Sequence, residues 1–367
     1  MMQPKYIHSI ENVPYLTEKE KAALQIVTEK FMFRVNDYYL NLIDWSNPED
    51  PLRKLVIPNL DELTDYGRWD ASDEDTNYVV KGCQHKYKAT ALLIVSEVCG
   101  AYCRYCFRKR LFQPDVQEAT SHIAAGLDYI SQHEEISNVL LTGGDPLILS
   151  TARIKNILEQ IRDIPHVHII RIGSKMPVFN PMRIYEDEAL LQTIADFSNA
   201  NKRIYIMTHI NHPHEITEQA RRGFESLHQA GAILTNQTPI LKGINDDADV
   251  LSSLLNKLSY AGVAPYYFFM NRPVIGNHSF ALSLEAVYQL VEKAKSNVSG
   301  LGKRVKLVMS HTSGKIEILA VENGKAYLKY HQSRDGDEGK FMILPCPPTA
   351  AWFDDLPGSE QYWNQKM

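Results

Sequence analysis

Six short apolar runs, each trailed by a helix-like stretch, limit this chain more than any other feature of its sequence. They occupy residues 91–95, 139–141, 167–172, 204–207, 233–235 and 266–270. Continuous apolar runs of this length suit strands buried on both faces. Between them, residues 119–132, 151–161, 188–197, 216–229 and 250–258 carry helical spacing. A strand–helix unit recurring about every thirty residues predicts parallel strands joined by right-handed crossovers, an α/β fold. Six units fall short of the eight in a closed TIM barrel, and an open doubly wound sheet satisfies the same periodicity.

Polar residues and glycines gather where these runs end: Ser96-Glu97, Thr142-Gly143-Gly144-Asp145, Gly173-Ser174, Thr208-His209, Asn236-Gln237 and Asn271-Arg272. In parallel α/β architectures that edge binds ligands. One such cluster would mean little; six in succession describe the rim of an active site. The flanks read differently. Residues 1–87 look mainly helical, with a capping box at Thr17-Glu18-Lys19-Glu20 followed by Ala22, Leu24, Ile26, Val27 and Phe31. A second amphipathic run from Tyr38 to Trp45 stops at Asn47-Pro48, and residues 50–60 make a connector. After Leu301 the pattern alternates, and residues 315–330 predict a hairpin turned at Asn323-Gly324. The expected division is a helical region over 1–87, the strand–helix repeat over 88–296, and a C-terminal segment over 297–367.

Composition narrows the function classes. With 44% hydrophobic residues, 23% charged and a net charge of −5, the chain is ordinary globular protein, and no nucleic-acid-coating surface is expected. No apolar run opens the sequence and none is long enough to cross a bilayer, so a cytoplasmic protein without signal peptide or membrane partner is expected. Five cysteines are too few and too clustered for a disulfide framework.

Three of them follow the first strand directly, in Cys99-Gly-Ala-Tyr-Cys103-Arg-Tyr-Cys106. Three thiolates so close together converge on one inorganic centre only if a loop wraps around it, and sulfur ligands select zinc or iron–sulfur clusters. Structural zinc calls for a fourth ligand at regular spacing, whereas Cys83 is isolated and Cys346 lies far downstream between prolines. Three cysteines on a four-iron cluster would leave one iron open for a substrate or cofactor. A zinc site and buried thiols without metal are the alternatives.

Cys-x3-Cys-x2-Cys after the first strand, with an aromatic residue just behind it, resembles the signature of the radical S-adenosylmethionine (SAM) superfamily. Gly143-Gly144-Asp145-Pro146 is similar to its SAM-binding glycine motif. Five further blocks resemble the lysine 2,3-aminomutase family: residues 50–58, 140–147, 170–174 and 208–217, and Asn236-Gln237 with Gly243-Ile244-Asn245-Asp246. The resemblance implies a partial (β/α)6 barrel, a [4Fe–4S] cluster on Cys99, Cys103 and Cys106, and two further cofactors, SAM and pyridoxal phosphate (PLP). Backbone N–H groups around Gly143 and Gly144, the carboxylate of Asp145, and Ser174, His209 and Gln237 would contact SAM. Lys315, in His311-Thr312-Ser313-Gly314-Lys315, matches the lysine that attaches PLP, with small residues before it to let the chain pass close to the cofactor. Lys86 and Tyr87 fall near the PLP phosphate. There the family continues with Pro-Asp-Arg where this chain has Lys88-Ala89-Thr90, so a phosphate-binding arginine is missing.

By the same resemblance Arg108 binds the substrate α-carboxylate. Lysine-specific members carry an aspartate where this chain has Arg272, and a second aspartate where it has Val308. The change implies an amino-acid substrate that is acidic or uncharged at its far end, glutamate first. The implied reaction moves an amino group from C2 to C3, in a homo-oligomer served by an electron donor of the flavodoxin or ferredoxin type. A lysine 2,3-aminomutase, and a radical SAM enzyme that has lost PLP, are the alternative readings.

Overall fold

The computed structural model describes residues 3–113 and 123–362. A small antiparallel pair, β1 (Tyr6–Ile7) and β2 (Val35–Asn36), precedes one mixed sheet of twelve strands whose spatial order follows the chain. These are β3 (Tyr78–Val80), β4 (Cys83–Tyr87), β5 (Thr90–Ser96), β6 (Asn138–Gly143), β7 (Ile169–Ser174), β8 (Arg203–Thr208), β9 (Ile233–Pro239), β10 (Ala264–Phe269), β11 (Lys306–His311), β12 (Gly314–Glu322), β13 (Lys325–Ser333) and β14 (Phe341–Pro345). From β5 to β11 every pairing is parallel. β3–β4–β5 at one flank and β11–β14 at the other are antiparallel. No helix among the described residues is long and apolar enough to cross a membrane.

The six expected parallel strands are β5 to β10, separated by helices that include Thr151–Arg162, Glu188–Phe197, Glu218–Gln229 and Ala248–Tyr260. The first crossover helix spans Ala124–Ser131; residues 119–122 of the expected helix lie outside the described residues. A seventh parallel strand, β11, follows the helix Leu284–Ser296. Lys306 breaks its apolar run in the sequence, and in the fold Lys306 reaches across to Glu317 at 2.9 Å. The hairpin forms as expected: Glu322 pairs Lys325, and both turn residues, Asn323 and Gly324, have positive φ.

The N-terminal region is less helical than its pattern suggested. Glu18–Lys30 is a full helix, with the Glu20 N–H donating to Thr17 Oγ1 and the Thr17 N–H to Glu20 Oε2. The run from Tyr38 to Trp45 is helical only over Asp37–Leu40, because the Asp44 carboxylate accepts from Ser46 and bends the chain into turns. What these segments bury matters more than their shape. Ile10, Tyr39, Leu52 and Leu55 share a core with Ala101 and Tyr105 of the cysteine loop.

That loop is locked by charge. Arg104 is 2% exposed and lays its fork on Glu62, Nε at 2.9 Å from Oε1 and Nη2 at 2.8 Å from Oε2. The same carboxylate takes Lys109 Nζ at 3.4 Å. The Arg104 N–H donates to the Leu55 carbonyl and the Tyr102 N–H to that of Arg34. Removing one partner of a buried pair leaves an uncompensated charge, which costs about 3–5 kcal/mol. Glu62→Ala is therefore expected to lower the unfolding free energy by about that amount in urea titration of the anaerobically purified protein. A loss below about 1 kcal/mol would show that Arg104 and Lys109 find other partners.

Candidate active site

Residues from the inner face of the sheet, β4 through β13, surround one cavity of about 340 Å3. Every site residue expected from the sequence lines it: Cys99, Cys103, Cys106, Gly143, Gly144, Asp145, Ser174, His209, Gln237, Lys86, Tyr87, Arg108, Arg272 and Lys315. Val308 does not. It is wholly buried within β11, and Ser310, two residues on, reaches the wall instead.

The cysteines sit at one end. Anchoring of Tyr102 and Arg104 to the N-terminal region leaves the alternate positions of the loop to face inward, and Cys106 Sγ accepts the Arg108 N–H at 3.4 Å. Burial raises all three thiols, Cys103 to about 12; neighbouring thiols add to the effect at Cys99 and Cys103, while Arg108, Lys109 and Arg110 oppose it at Cys106. Such cysteines give up their protons to a metal centre and not to water. Among the described residues no group of three or more His, Cys, Asp or Glu side chains is placed to hold a single metal ion. Thiols around one cavity fit a multi-iron body in which each sulfur takes its own iron.

The glycine block does a different task from the one expected of it. A Cβ on Gly143 would lie 2.2 Å from the Ser96 carbonyl oxygen, and one on Gly144 2.4 Å from that of Val98. The Gly144 N–H donates to Ser96 O at 2.6 Å and the Asp145 N–H to Val98 O at 2.8 Å. These donors therefore fasten the end of β6 to the entry of the cysteine loop and are not turned to a ligand. The Asp145 carboxylate is also spoken for: it accepts from the N–H groups of Leu147, Lys175 and Met176. Ser174 joins this knot, accepting the Met176 N–H and bonding to Asp145.

His209 and Gln237 are the groups left for a ligand on this rim. The His209 ring stacks on Tyr105 with centroids 5.8 Å apart, and its Nε2 is buried without a hydrogen-bond partner. Burial, then the charge of Lys175, lowers its pKa to about 3, so the ring is neutral and its Nε2 is an unsatisfied buried polar atom on a residue that lines the cavity. The Gln237 side chain makes no hydrogen bond among the described residues, while its backbone belongs to β9. Both fit a polar cofactor such as SAM next to the cysteines.

The opposite wall is basic. Lys315 Nζ lies 4.2 Å from the Tyr267 ring centroid and 5.7 Å from that of Phe269, with no ion pair among the described residues. Burial, followed by the charges of Arg171, Arg272 and Lys86, lowers its pKa to about 7. Its amine is thus partly neutral near neutral pH, as a nucleophile requires. Lys86 donates to the His311 carbonyl at 2.6 Å and is likewise lowered to about 7, by burial first and then Arg272. Burial raises the Tyr87 hydroxyl. Gly314 is needed for a nearer reason than a cofactor: its Cβ would meet the Gln332 carbonyl oxygen at 2.3 Å.

Arg108 does not stand open to a substrate as expected. Its Nε and Nη2 each lie 3.0 Å from a Glu74 oxygen, and Nη1 donates to Thr142 Oγ1 at 3.0 Å. Glu74 also takes Arg110 Nη2 at 2.8 Å and faces Arg272 Nη1 at 3.9 Å. Burial alone would raise the Glu74 carboxyl, but Arg108 and Arg110 hold it well below the usual range. Arg272 lies over the Phe107 ring at 3.9 Å. Three residues here went unnoticed in the sequence. Glu74 hides in the acidic run Asp73-Glu74-Asp75, which reads as a solvated face; Lys175 gives no signal at all. Arg171 could have been found, since an arginine inside a buried apolar strand is itself unusual.

A model of the radical SAM superfamily matches residues 93–254. Over 353 residues the chain is 49% identical to a protein of Aquifex aeolicus assigned provisionally as an L-lysine 2,3-aminomutase, covering 96% of this chain and 94% of that one. It is 35% identical to the L-lysine 2,3-aminomutase of Clostridium subterminale, with coverage of 78% and 68%. To the glutamate 2,3-aminomutase of Clostridioides difficile it is 34% identical, with coverage of 80% and 69%. The chain belongs to the lysine 2,3-aminomutase family of radical SAM isomerases.

Proposed function

We propose that the chain is a PLP-dependent radical SAM 2,3-aminomutase acting on an acidic amino acid, glutamate foremost. Strands β5–β10 would be the partial (β/α)6 barrel, with residues 1–87 and 297–367 flanking it. The observation that carries the reading is the charge of the basic wall. Lys86, Arg108, Arg171, Arg272 and Lys315 line the cavity, where Glu74 is already surrounded by guanidiniums and the other lining carboxylate, Asp145, accepts from three backbone N–H groups. A substrate with a distal ammonium would meet like charge at Arg272 and no acceptor, a cost of several kcal/mol. A distal carboxylate would find a planar donor fork.

Cys99, Cys103 and Cys106 would hold the [4Fe–4S] cluster, His209 and Gln237 would contact SAM, and the Lys315 amine would attach PLP. When bound, these groups supply radical hydrogen abstraction and a carrier for the migrating nitrogen. The chain's own contribution is placement. Arg272 would orient the far carboxylate, and the Nη1 edge of Arg108, now on Thr142, is the one open to an α-carboxylate. Tyr267, Phe269 and Phe107 keep water from the reacting carbons. An electron donor of the flavodoxin or ferredoxin type, a cytoplasmic setting and a homo-oligomer belong to the same proposal. The edge strand β14, paired only to β13 among the described residues and with Phe341 and Ile343 half-exposed, is a surface the oligomer would cover.

The reconstituted enzyme, given SAM, PLP and reductant anaerobically, is expected to convert glutamate or aspartate to a β-amino acid and to leave lysine unchanged, read by mass spectrometry. Turnover of lysine alone would overturn the acidic-substrate reading and favour the activity named for the Aquifex and Clostridium subterminale relatives. Arg272→Asp is expected to lower kcat/KM for the acidic substrate about 100-fold, the loss of one buried charge pair. Cys103→Ala should abolish SAM cleavage, and Lys315→Ala should abolish amino-group migration while SAM cleavage persists. Full turnover by Lys315→Ala would exclude attachment of PLP there.

A further inference from the structure

β7 carries an arginine between two residues of the main core. Ile170 and Ile172 are each 1% exposed and pack behind the sheet, so Arg171 turns with Gly173 toward the cavity. A guanidinium in that position needs an anion. Among the described residues it has none. Its Nε donates to Asn138 Oδ1 at 2.9 Å, and the acidic hydroxyls nearest to it are those of Tyr266 and Tyr267.

The same deficit holds for its neighbours. Lys86 meets a carbonyl oxygen and Lys315 two aromatic faces. The other cavity cations are matched: Arg108 and Arg272 share Glu74, and Lys175 has Glu215 at 2.7 Å. If Lys315 is spent as the amine that bonds to a cofactor, Lys86 and Arg171 remain as two buried basic groups with no direct ion pair among the described residues. A phosphate monoester carries close to two negative charges near neutral pH.

Position agrees with charge. Asn138, which holds Arg171, is the register partner of Thr90 across β5 and β6, and Thr90 lines the cavity. Thr90 is the place where the family resemblance puts a phosphate-binding arginine that this chain lacks. We propose that Arg171, together with Lys86, is the phosphate anchor of this chain, supplying from β7 the charge that β5 does not. The inference rests on the reading that the chain binds PLP. It adds the residue that would fix the cofactor's phosphate.

The experiment compares PLP with pyridoxal, which has the same aldehyde and ring but no phosphate. Each is titrated into purified enzyme and read by the visible absorbance of the lysine-bound form. Arg171→Gln is expected to weaken PLP about tenfold or more, the loss of a charge-assisted pair, and to leave pyridoxal unchanged. Thr90→Arg, built on otherwise unaltered enzyme, is expected to tighten PLP but not pyridoxal, and to restore PLP binding in the Arg171→Gln background. If the unsubstituted enzyme binds PLP and neither substitution changes the PLP-to-pyridoxal ratio, the anchor assignment is wrong while the cofactor reading stands. If the unsubstituted enzyme takes up neither compound, both readings fall. Equal weakening of PLP and pyridoxal by Arg171→Gln would assign the residue to structure and overturn the anchor role.

Discussion

Burying a guanidinium is tolerated only when something anionic is buried with it, and much of this interior is arranged around that requirement. Arg104 inside the cysteine loop draws Glu62 from the N-terminal region. Arg108, just beyond the loop, draws Glu74 from a 3-10 turn next to the sheet. Lys175, after β7, draws Glu215 from the segment after β8. Each pairing joins pieces of chain far apart in sequence, and each stands beside the cavity. The N-terminal region is thereby held against the cysteine loop by ion pairs as well as by the core around Tyr39 and Leu55. Where the pattern stops, at Lys86 and Arg171, the chain presents charge that it does not itself match.

The rim shows how a short motif can be legible while its task is not. Gly143 and Gly144 are required, but by the carbonyls of Ser96 and Val98, which leave no room for a Cβ. Asp145 then ties the end of β6 to the turn after β7 through two backbone N–H groups, those of Lys175 and Met176, while the Leu147 N–H closes its own turn. Three strand ends and the loop that carries the cysteines are fixed to one another at this point. A ligand lying here rests on a surface whose backbone donors are already satisfied, so side chains such as His209 and Gln237 are the groups with something left to offer.

Much of the fold was legible because its strands are buried on both faces, which forces continuous apolar runs such as 91–95 and 204–207. β11 escaped for the complementary reason: Lys306 stands at its mouth, paired with Glu317. The run from Tyr38 to Trp45 misled because amphipathic spacing says nothing of the Asp44 side chain that turns the backbone. In the site, cysteines, glycines and the reactive lysine were readable from spacing and family likeness, since few chemistries use them in that pattern. Glu74 was not, because the partner that gives it meaning lies 34 residues away and only folding brings the two together. The pairing of Arg108 with Glu74 was hidden for the same cause.

The sheet never closes on itself through backbone bonds, yet its two flanks meet. Lys86 of β4 donates to the carbonyl of His311 in β11, Ser72 Oγ donates to that of Ser310, and Arg334 after β13 donates to Thr76 Oγ1. The cavity therefore has, beside the strand ladders and the cysteine loop that wall it, a seam sewn from side chains. A seam of this kind parts at the cost of a few exchangeable hydrogen bonds, which water can replace, whereas parting two ladder strands would strip a whole row. Bulky occupants can be admitted along that line without unfolding any strand.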